Sequence, residues 1–205
     1  MFSPRDSHTV LDELGSKFLL ALVRATDSAR DDLASMRTWN PGWFPYFFQR
    51  DVACLVHSRI WAALMSELEG VDGVNLRTEE PFREVRISTV SGRTYTLRIK
   101  RHSEDDQIRS YATPTDIAFW GGISATFEGM EEVRLAAGYR WLAASGDVGN
   151  PVVSYREGKE NPIWAVEIDT GAAGSVTPIE YYPVEPTMPQ VDLIQNEQAK
   201  DEDTA

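Results

Sequence analysis

Cysteine is almost absent from this sequence, since Cys54 is the only one among 205 residues. A single thiol excludes an internal disulfide and any zinc site built from several thiolates, and it agrees with a reducing compartment. Uninterrupted apolar runs such as Phe18–Val23 are far shorter than the roughly 20 residues of a membrane-spanning helix. No basic stretch leads into an apolar stretch at the N-terminus, so no secretory signal is predicted. A cytoplasmic protein without a membrane segment is expected.

Sequence motifs of the common enzyme classes are also missing. The chain has no Walker phosphate loop, no Gly-x-Gly-x-x-Gly, no Gly-x-Ser-x-Gly and no His-Glu-x-x-His, which moves the expectation toward a binding role. A strand of the restriction-endonuclease type would carry an acidic residue two positions before Lys100, but Arg98 stands there. Cys54 and His57 share a helical face, yet two ligands do not make a metal site; a buried thiol beside a partly exposed imidazole is favoured. No cofactor and no metal are expected.

Basic residues are scarce, with 20 Lys and Arg against 32 Asp and Glu and a formal net charge of -12. Such a molecule repels polyanions at long range, which disfavours a general nucleic-acid binder. The segment Pro183–Ala205 contains six acidic residues, one lysine and no aromatic residue. Because it cannot bury enough apolar surface, we expect a disordered acidic tail over 183–205.

Two N-terminal helices are predicted from apolar residues at helical spacing. The first stripe consists of Leu11, Leu14, Phe18, Leu22, Ala25, Ala29, Leu33 and Met36. Its spacing follows the period of a straight helix, and Thr9 with Asp12 resembles a capping box at the start. The second helix is expected over Arg50–Glu69, where Gly70 and Gly73 end it.

After Pro81 the apolar period changes to two, which is typical of strands. The segments around Ile87 and Leu97 predict a β-hairpin, and three further strands are expected over Glu132–Ala143, Val152–Glu157 and Ile163–Asp169. We therefore predict an α+β fold: two N-terminal helices packed on a mostly antiparallel sheet of about five strands. One domain is expected over 1–182, helical in 1–70 and β-rich in 81–169.

The strand alternation divides the sheet into two faces. One face is apolar and should contact the helices. The other face collects six cations: Arg86, Arg98, Lys100, Arg134, Arg140 and Arg156. We call this set the basic sheet face. It either docks phosphates, nucleic acid or an acidic protein, or it is a solvated face on which Glu84 and Glu167 pair with the arginines.

Between the two helices, the segment Trp39–Phe48 contains six aromatic residues and two prolines. The prolines prevent one continuous helix. A cluster of this density either closes the core between the helices or forms an exposed patch, including Trp43, that captures a partner. The general burial preference of aromatic side chains favours the first interpretation.

A histidine among carboxylates follows the hairpin, in the sequence His102-Ser-Glu-Asp-Asp106. His102 with Asp105, Asp106 or Glu104 could act as a general base or hold a cation. A charged turn is the simpler interpretation of the same residues. If the loop is catalytic, these side chains should converge in one pocket.

Three strand segments carry a resemblance to a group of known proteins. They are Arg134-Leu-Ala-Ala-Gly-Tyr-Arg-Trp141, Val153-Ser-Tyr-Arg-Glu157 and Ile163-Trp-Ala-Val-Glu-Ile168. These segments resemble small bacterial and phage proteins encoded near helix-turn-helix regulators and metallopeptidases, in toxin–antitoxin-like or defence loci. The resemblance covers structural rather than catalytic residues. It implies a cytoplasmic protein that works through a protein partner.

Three hypotheses follow. The first is a non-enzymatic interaction or regulatory protein that binds a protein partner through the basic sheet face or the Trp39–Phe48 segment. The second is a small hydrolase or nuclease-like toxin that uses the loop of His102, Asp105 and Asp106. The third is a nucleic-acid binder that uses Arg86, Arg98, Lys100, Arg134 and Arg140, although the net charge disfavours it.

Overall fold

A computed structural model describes residues 2–78, 83–108, 113–120, 131–158, 162–170 and 176–181, with only the backbone given for 169–170 and 176–181. The predicted acidic tail, 183–205, lies outside the described residues. The elements are α1 (Ser7–Trp39), α2 (Gln49–Glu67), β1 (Val74–Arg77), β2 (Glu84–Ser88), β3 (Thr94–His102), α3 (Pro114–Trp120), β4 (Glu132–Leu142), β5 (Asp147–Arg156), β6 (Pro162–Thr170) and β7 (Val176–Tyr181). The class is α+β, as predicted. Neither long helix has an apolar stretch sufficient to cross a bilayer, within the part of the chain described.

The strands form one mixed sheet in the order β1-β2-β3-β4-β5-β6-β7. Every neighbouring pair is antiparallel except β3 and β4, which are parallel. The connection between β3 and β4 contains α3, because a parallel pair needs a long crossover. The prediction of a mostly antiparallel sheet is confirmed, and the expected number of about five strands is wrong. β1 and β7 were missed because both are short and neither shows a clear apolar alternation.

Helices α1 and α2 pack on one face of the sheet, as the sequence predicts. Their apolar stripes meet the inward residues of the strands in one core cluster. That cluster includes the predicted apolar face: Val85, Ile87, Tyr95, Leu97, Ile99, Val133, Leu135, Ala137, Tyr139 and Trp141. The hairpin register places Val85 opposite Leu97 and Ile87 opposite Tyr95. The period-two alternation therefore identified the core face correctly.

The start of α1 differs from the prediction. The helix begins at Ser7 with Asp6 at the N-cap, and Thr9 Oγ1 donates a hydrogen bond of 2.6 Å to Asp6 Oδ2. Thr9 is therefore inside the helix rather than at its cap. A kink at Gly15, with φ 79° and ψ 152°, divides α1 in a backbone conformation that is almost confined to glycine.

Candidate functional site

The basic sheet face is covered by its own ion pairs. Arg98 is buried and contacts Glu84 at 2.8 Å and Asp116 of α3 at 3.2 Å. The Lys100 ammonium lies 3.3 Å from the same Asp116 carboxylate. Glu84 and Asp116 are also buried, and a charge away from water requires such a partner. These two cations therefore belong to a buried network that fixes α3 on the sheet.

Three further arginines of this face are held by neighbouring groups. Arg134 donates to the carbonyl oxygens of Ala118 at 2.8 Å and Phe119 at 3.2 Å. Arg140 contacts Glu167 at 3.1 Å and also pairs with Asp106. Buried Arg156 donates from Nε to Ser154 Oγ at 3.2 Å. The Glu84 and Glu167 pairs proposed from the sequence are both present.

Arg86 differs from these residues because its side chain is exposed. It lines a cleft of about 240 Å³ together with Thr96, Arg98, Phe119 and Arg134. The Arg98 guanidinium lies 3.9 Å from the Phe119 ring centroid, within the distance of a cation–π interaction. The cleft is polar, and most of its charge is already neutralised by neighbouring groups.

The loop residues proposed for catalysis do not converge in one pocket. His102 is fully buried, with Nε2 at 3.1 Å from Ser154 Oγ. Its Nδ1 has no hydrogen-bond partner among the described residues, so the orienting carboxylate of a triad is missing there. Asp106 is buried against Arg140, whereas Asp105 and Glu104 are exposed. A Ser–His pair sealed from solvent cannot reach a substrate in this arrangement.

Burial and the nearby charges of Arg156 and Arg140 lower the pKa of His102 to about 3. Burial, with Arg83, likewise lowers the pKa of His57 to about 4. Burial raises the pKa of Asp106, and the Arg140 charge opposes that rise. In the folded protein His102 and His57 are therefore neutral at neutral pH.

These histidines predict loss of stability in mild acid. An unfolded histidine has a pKa of about 6.5, so below that pH the unfolded chain takes up protons that the folded protein excludes. The free energy of unfolding should fall as the pH is lowered from about 6.5 toward 4, by up to about 1.4 kcal/mol per pH unit for each group. Urea unfolding at several pH values measures this slope. His102→Gln should flatten it; a slope in this variant equal to that of wild type would contradict the assignment.

Cys54 is exposed, so the interpretation of a buried core thiol is wrong. The helical face that it shares with His57 points partly to solvent, since His57 is half-buried. The His57 Nδ1 atom lies 3.1 Å from the Arg83 guanidinium. Within the described ranges no group of three or more His, Cys, Asp or Glu side chains is placed to hold a metal ion.

The connection between α1 and α2 divides its aromatic residues between core and solvent. Phe44 and Phe47 pack against the core cluster, with ring centroids 5.2 Å apart. The other four side chains are exposed: Trp39 to 72%, Trp43 to 45%, Tyr46 to 84% and Phe48 to 78%. We call these four the aromatic surface. The core-closing interpretation is therefore right for two of the six residues and wrong for the other four.

The local backbone explains this division. α1 ends at Trp39, and Pro45 lies in a short 3₁₀ turn, Phe44–Tyr46. That turn presents Phe44 to the core and leaves Tyr46 outside. Trp39 and Trp43 meet edge to face, with ring centroids 5.3 Å apart, a favourable geometry for aromatic pairs. The two indole rings therefore stabilise each other's position at the surface.

Phe48 occupies a position at which the fold favours another residue. It is the N-cap of α2, and its backbone N–H donates to Asp51 Oδ2 at 2.9 Å. Ser, Thr, Asp and Asn stabilise such a position by bonding the helix N–H groups, which a phenyl ring cannot do. The sequence alone did not show this, because the helix was expected to begin at Arg50, and only the structure places Phe48 at its N-cap.

Of the residues proposed for binding, the structure places only Trp43 on this surface. Trp39, Tyr46 and Phe48 were not singled out as binding residues. Searches with this chain find no matching family model, no matching curated protein and no matching solved structure.

Proposed function

We infer that this protein is a non-enzymatic interaction protein that binds a protein partner through the aromatic surface. The observation that carries the inference is the exposure of Trp39, Trp43, Tyr46 and Phe48 on one short connection. Among the described residues, the remaining exposed large hydrophobic side chains are Met65, Val90, Ile117 and Leu142, which are scattered over different elements. Trp and Tyr dominate the binding energy of protein interfaces because their rings bury a large area with few rotatable bonds.

The N-cap position strengthens the inference. An exposed phenylalanine at position 48 contributes little to the stability of α2, whereas a serine there would stabilise the helix by about 0.5–1 kcal/mol. Residues that break a local rule without a gain in stability mark functional positions. A partner that covers the Phe48 ring supplies the missing reason for it.

The basic sheet face is a weaker candidate for the same role. Arg98 and Lys100 already share Asp116, and Arg140 already contacts Glu167. An incoming acidic group would have to displace these carboxylates. The aromatic surface requires no such exchange, so it is the surface that we assign to the partner.

For the biological setting we propose a bacterial or phage toxin–antitoxin-like or defence system in the cytoplasm. The support is the resemblance of the segments around Trp141, Tyr155 and Trp164 to small proteins of such loci. In that setting the chain acts as the regulatory member, because the loop of His102 and Asp106 does not form an accessible catalytic site.

Capture of the tagged protein from nuclease-treated lysate of its source tests the proposal. Wild type should retain a stoichiometric protein partner. The variant Trp39→Ser/Trp43→Ser/Tyr46→Ser/Phe48→Ser should lose it at least about tenfold, as expected when several interface anchors are removed. The matched control, Met65→Ser/Val90→Ser/Ile117→Ser, removes exposed apolar side chains elsewhere and should retain the partner.

Folding is checked separately in the same variants. Phe48→Ser alone should raise the free energy of unfolding by about 0.5–1 kcal/mol while weakening capture. Opposite effects on stability and binding cannot come from unfolding. Equal capture by wild type and by the fourfold variant would refute the assignment, as would the absence of any partner.

A further inference from the structure

The chain itself contains a proline-rich segment of the kind that exposed aromatic side chains bind. Pro183, Pro186 and Pro189 place one proline at every third position. A polyproline II helix has three residues per turn, so these prolines would share one face of such a helix. Proline-rich segments dock on exposed Trp and Tyr rings because they lose little conformational entropy on binding. We propose that the aromatic surface binds the segment 183–189 of a second copy of this chain.

This proposal rests on the proposed function, because it names a ligand of the same surface. The distance between the aromatic surface and the end of β7 decides whether the segment binds in the same copy or in a second one. The Arg37 guanidinium lies 5.6 Å from the Phe44 ring centroid and also donates to the carbonyl oxygen of Gly146. The aromatic connection is thereby fixed at the end of the sheet where β4 turns into β5.

The described chain ends far from that turn. Tyr181, the last residue of β7, pairs with Ala165, which pairs with Ser154 of β5. Ser154 is seven residues along β5 from Asp147, or about 24 Å at about 3.4 Å per residue. β7 runs in the same direction as β5, because both are antiparallel to β6. β7 therefore ends at the side of the sheet away from the aromatic surface.

The length of chain after Tyr181 is too short for all three prolines to bind within one copy. Pro183 follows by two residues and can reach about 7 Å, and Pro186 follows by five and can reach about 18 Å at full extension. Neither distance spans the roughly 24 Å to the turn between β4 and β5. Pro189 follows by eight residues and can reach about 28 Å, so within one copy it alone could approach the turn. The three prolines can contact Trp39, Trp43 and Tyr46 together only on another molecule. Reciprocal exchange between two copies gives a closed two-fold dimer.

The charge of the chain provides an independent signature of this contact. Each copy carries a formal net charge of -12, so long-range electrostatics oppose self-association. The proposed contact between prolines and aromatic rings is apolar. Added salt should therefore strengthen the dimer by screening the repulsion, whereas a contact built on ion pairs would weaken.

Sedimentation velocity of the full-length chain, from low-micromolar to sub-millimolar concentration, tests the proposal. Wild type should change from monomer to dimer, at lower concentration when salt is added. Pro183→Ala/Pro186→Ala/Pro189→Ala should raise the dissociation constant at least about tenfold, and so should the fourfold serine variant of the aromatic surface. The control Thr187→Ala/Gln190→Ala keeps the prolines and the charge and should behave as wild type.

Mixing the two defective variants gives the decisive sample. The proline variant retains an intact aromatic surface and the serine variant retains an intact proline segment, so the mixture should form mixed dimers through one contact. A wild-type chain that stays monomeric, or a dimer unchanged by the proline substitutions, overturns the proposal. If a partner is still captured through the aromatic surface in that case, the proposed function stands alone; if neither is seen, both fail.

Discussion

Replacing Gly138 with alanine is expected to lower the free energy of unfolding by about 3 kcal/mol or more, the upper range for overpacking a tight site. A Cβ atom at this position would lie 1.9 Å from the carbonyl oxygen of Lys100 and 2.9 Å from its carbonyl carbon. Both atoms belong to the backbone of β3, which pairs in parallel with β4 at this residue. A backbone cannot rotate away as a side chain can, so the two strands must separate.

Urea unfolding of the Gly138→Ala variant measures this effect, with Gly42→Ala as the control. The only contact of a Cβ at Gly42 is 3.6 Å from the Asn40 side chain, so the control should stay within about 0.5 kcal/mol of wild type. A change below about 1 kcal/mol in the Gly138 variant would mean that β3 and β4 do not approach as closely as described.

The second large effect on stability is expected when the charge of Arg98 is removed. Arg98→Met should lower the free energy of unfolding by about 3–5 kcal/mol, because it leaves a buried carboxylate without its partner. Glu84 is only 4% exposed and accepts from Arg98 Nε at 2.9 Å. Asp116 retains Lys100 at 3.3 Å, so Glu84 is the group that loses compensation.

A double variant separates the charge from the packing. In Glu84→Leu/Arg98→Met both charges are replaced by apolar side chains, and most of the lost stability should return. The exposed pair of Arg24 and Glu67, at 3.0 Å, supplies the control: Arg24→Met should change the stability by less than about 1 kcal/mol. If the double variant is as unstable as Arg98→Met alone, the contact between Arg98 and the Phe119 ring is the dominant contribution.

Substitutions in the basic sheet face are unsuitable as tests of binding. A charge reversal at Arg98 or Arg140 would leave Glu84, Asp106 or Glu167 facing a like charge in a buried network. Loss of binding in such a variant would report unfolding. Substitutions in the aromatic surface avoid this ambiguity, because Tyr46 and Phe48 point into solvent.

Much of the fold could be predicted because its signals are local. The stripe from Leu11 to Leu33 gave the long helix, and the alternation around Ile87 and Leu97 gave the hairpin and its core face. α2 ends at Glu67 with Leu68 at its C-cap, two residues before the predicted end at Glu69. Gly70 and Gly73 have positive φ angles in the turns that follow the helix. Short edge strands such as β1 and β7 lack this kind of signal, since four to six residues do not show a period reliably.

The candidate site could not be predicted in the same way. Trp39 continues the apolar stripe of α1 three residues after Met36, and its sequence position is that of a core residue. Only the packing shows that the helix extends to the end of the sheet. The described residues leave the Trp39 side chain 72% exposed there. Likewise, the charges of Arg98 and Arg140 indicate a basic face, and only their distances to Asp116 and Glu167 show a neutralised one.

The sequence by itself determined the class of this protein: periods of 3.6 and two residues specify helices, strands and the faces that they bury. The tertiary structure decided which side chains stay exposed. The exposure of Trp43 and the burial of His102 depend on which elements pack over them, and those elements come from distant parts of the chain. Burial is set by neighbours in space, whereas periodicity is set by neighbours in sequence, and for this reason the fold class was predictable and the binding surface was not.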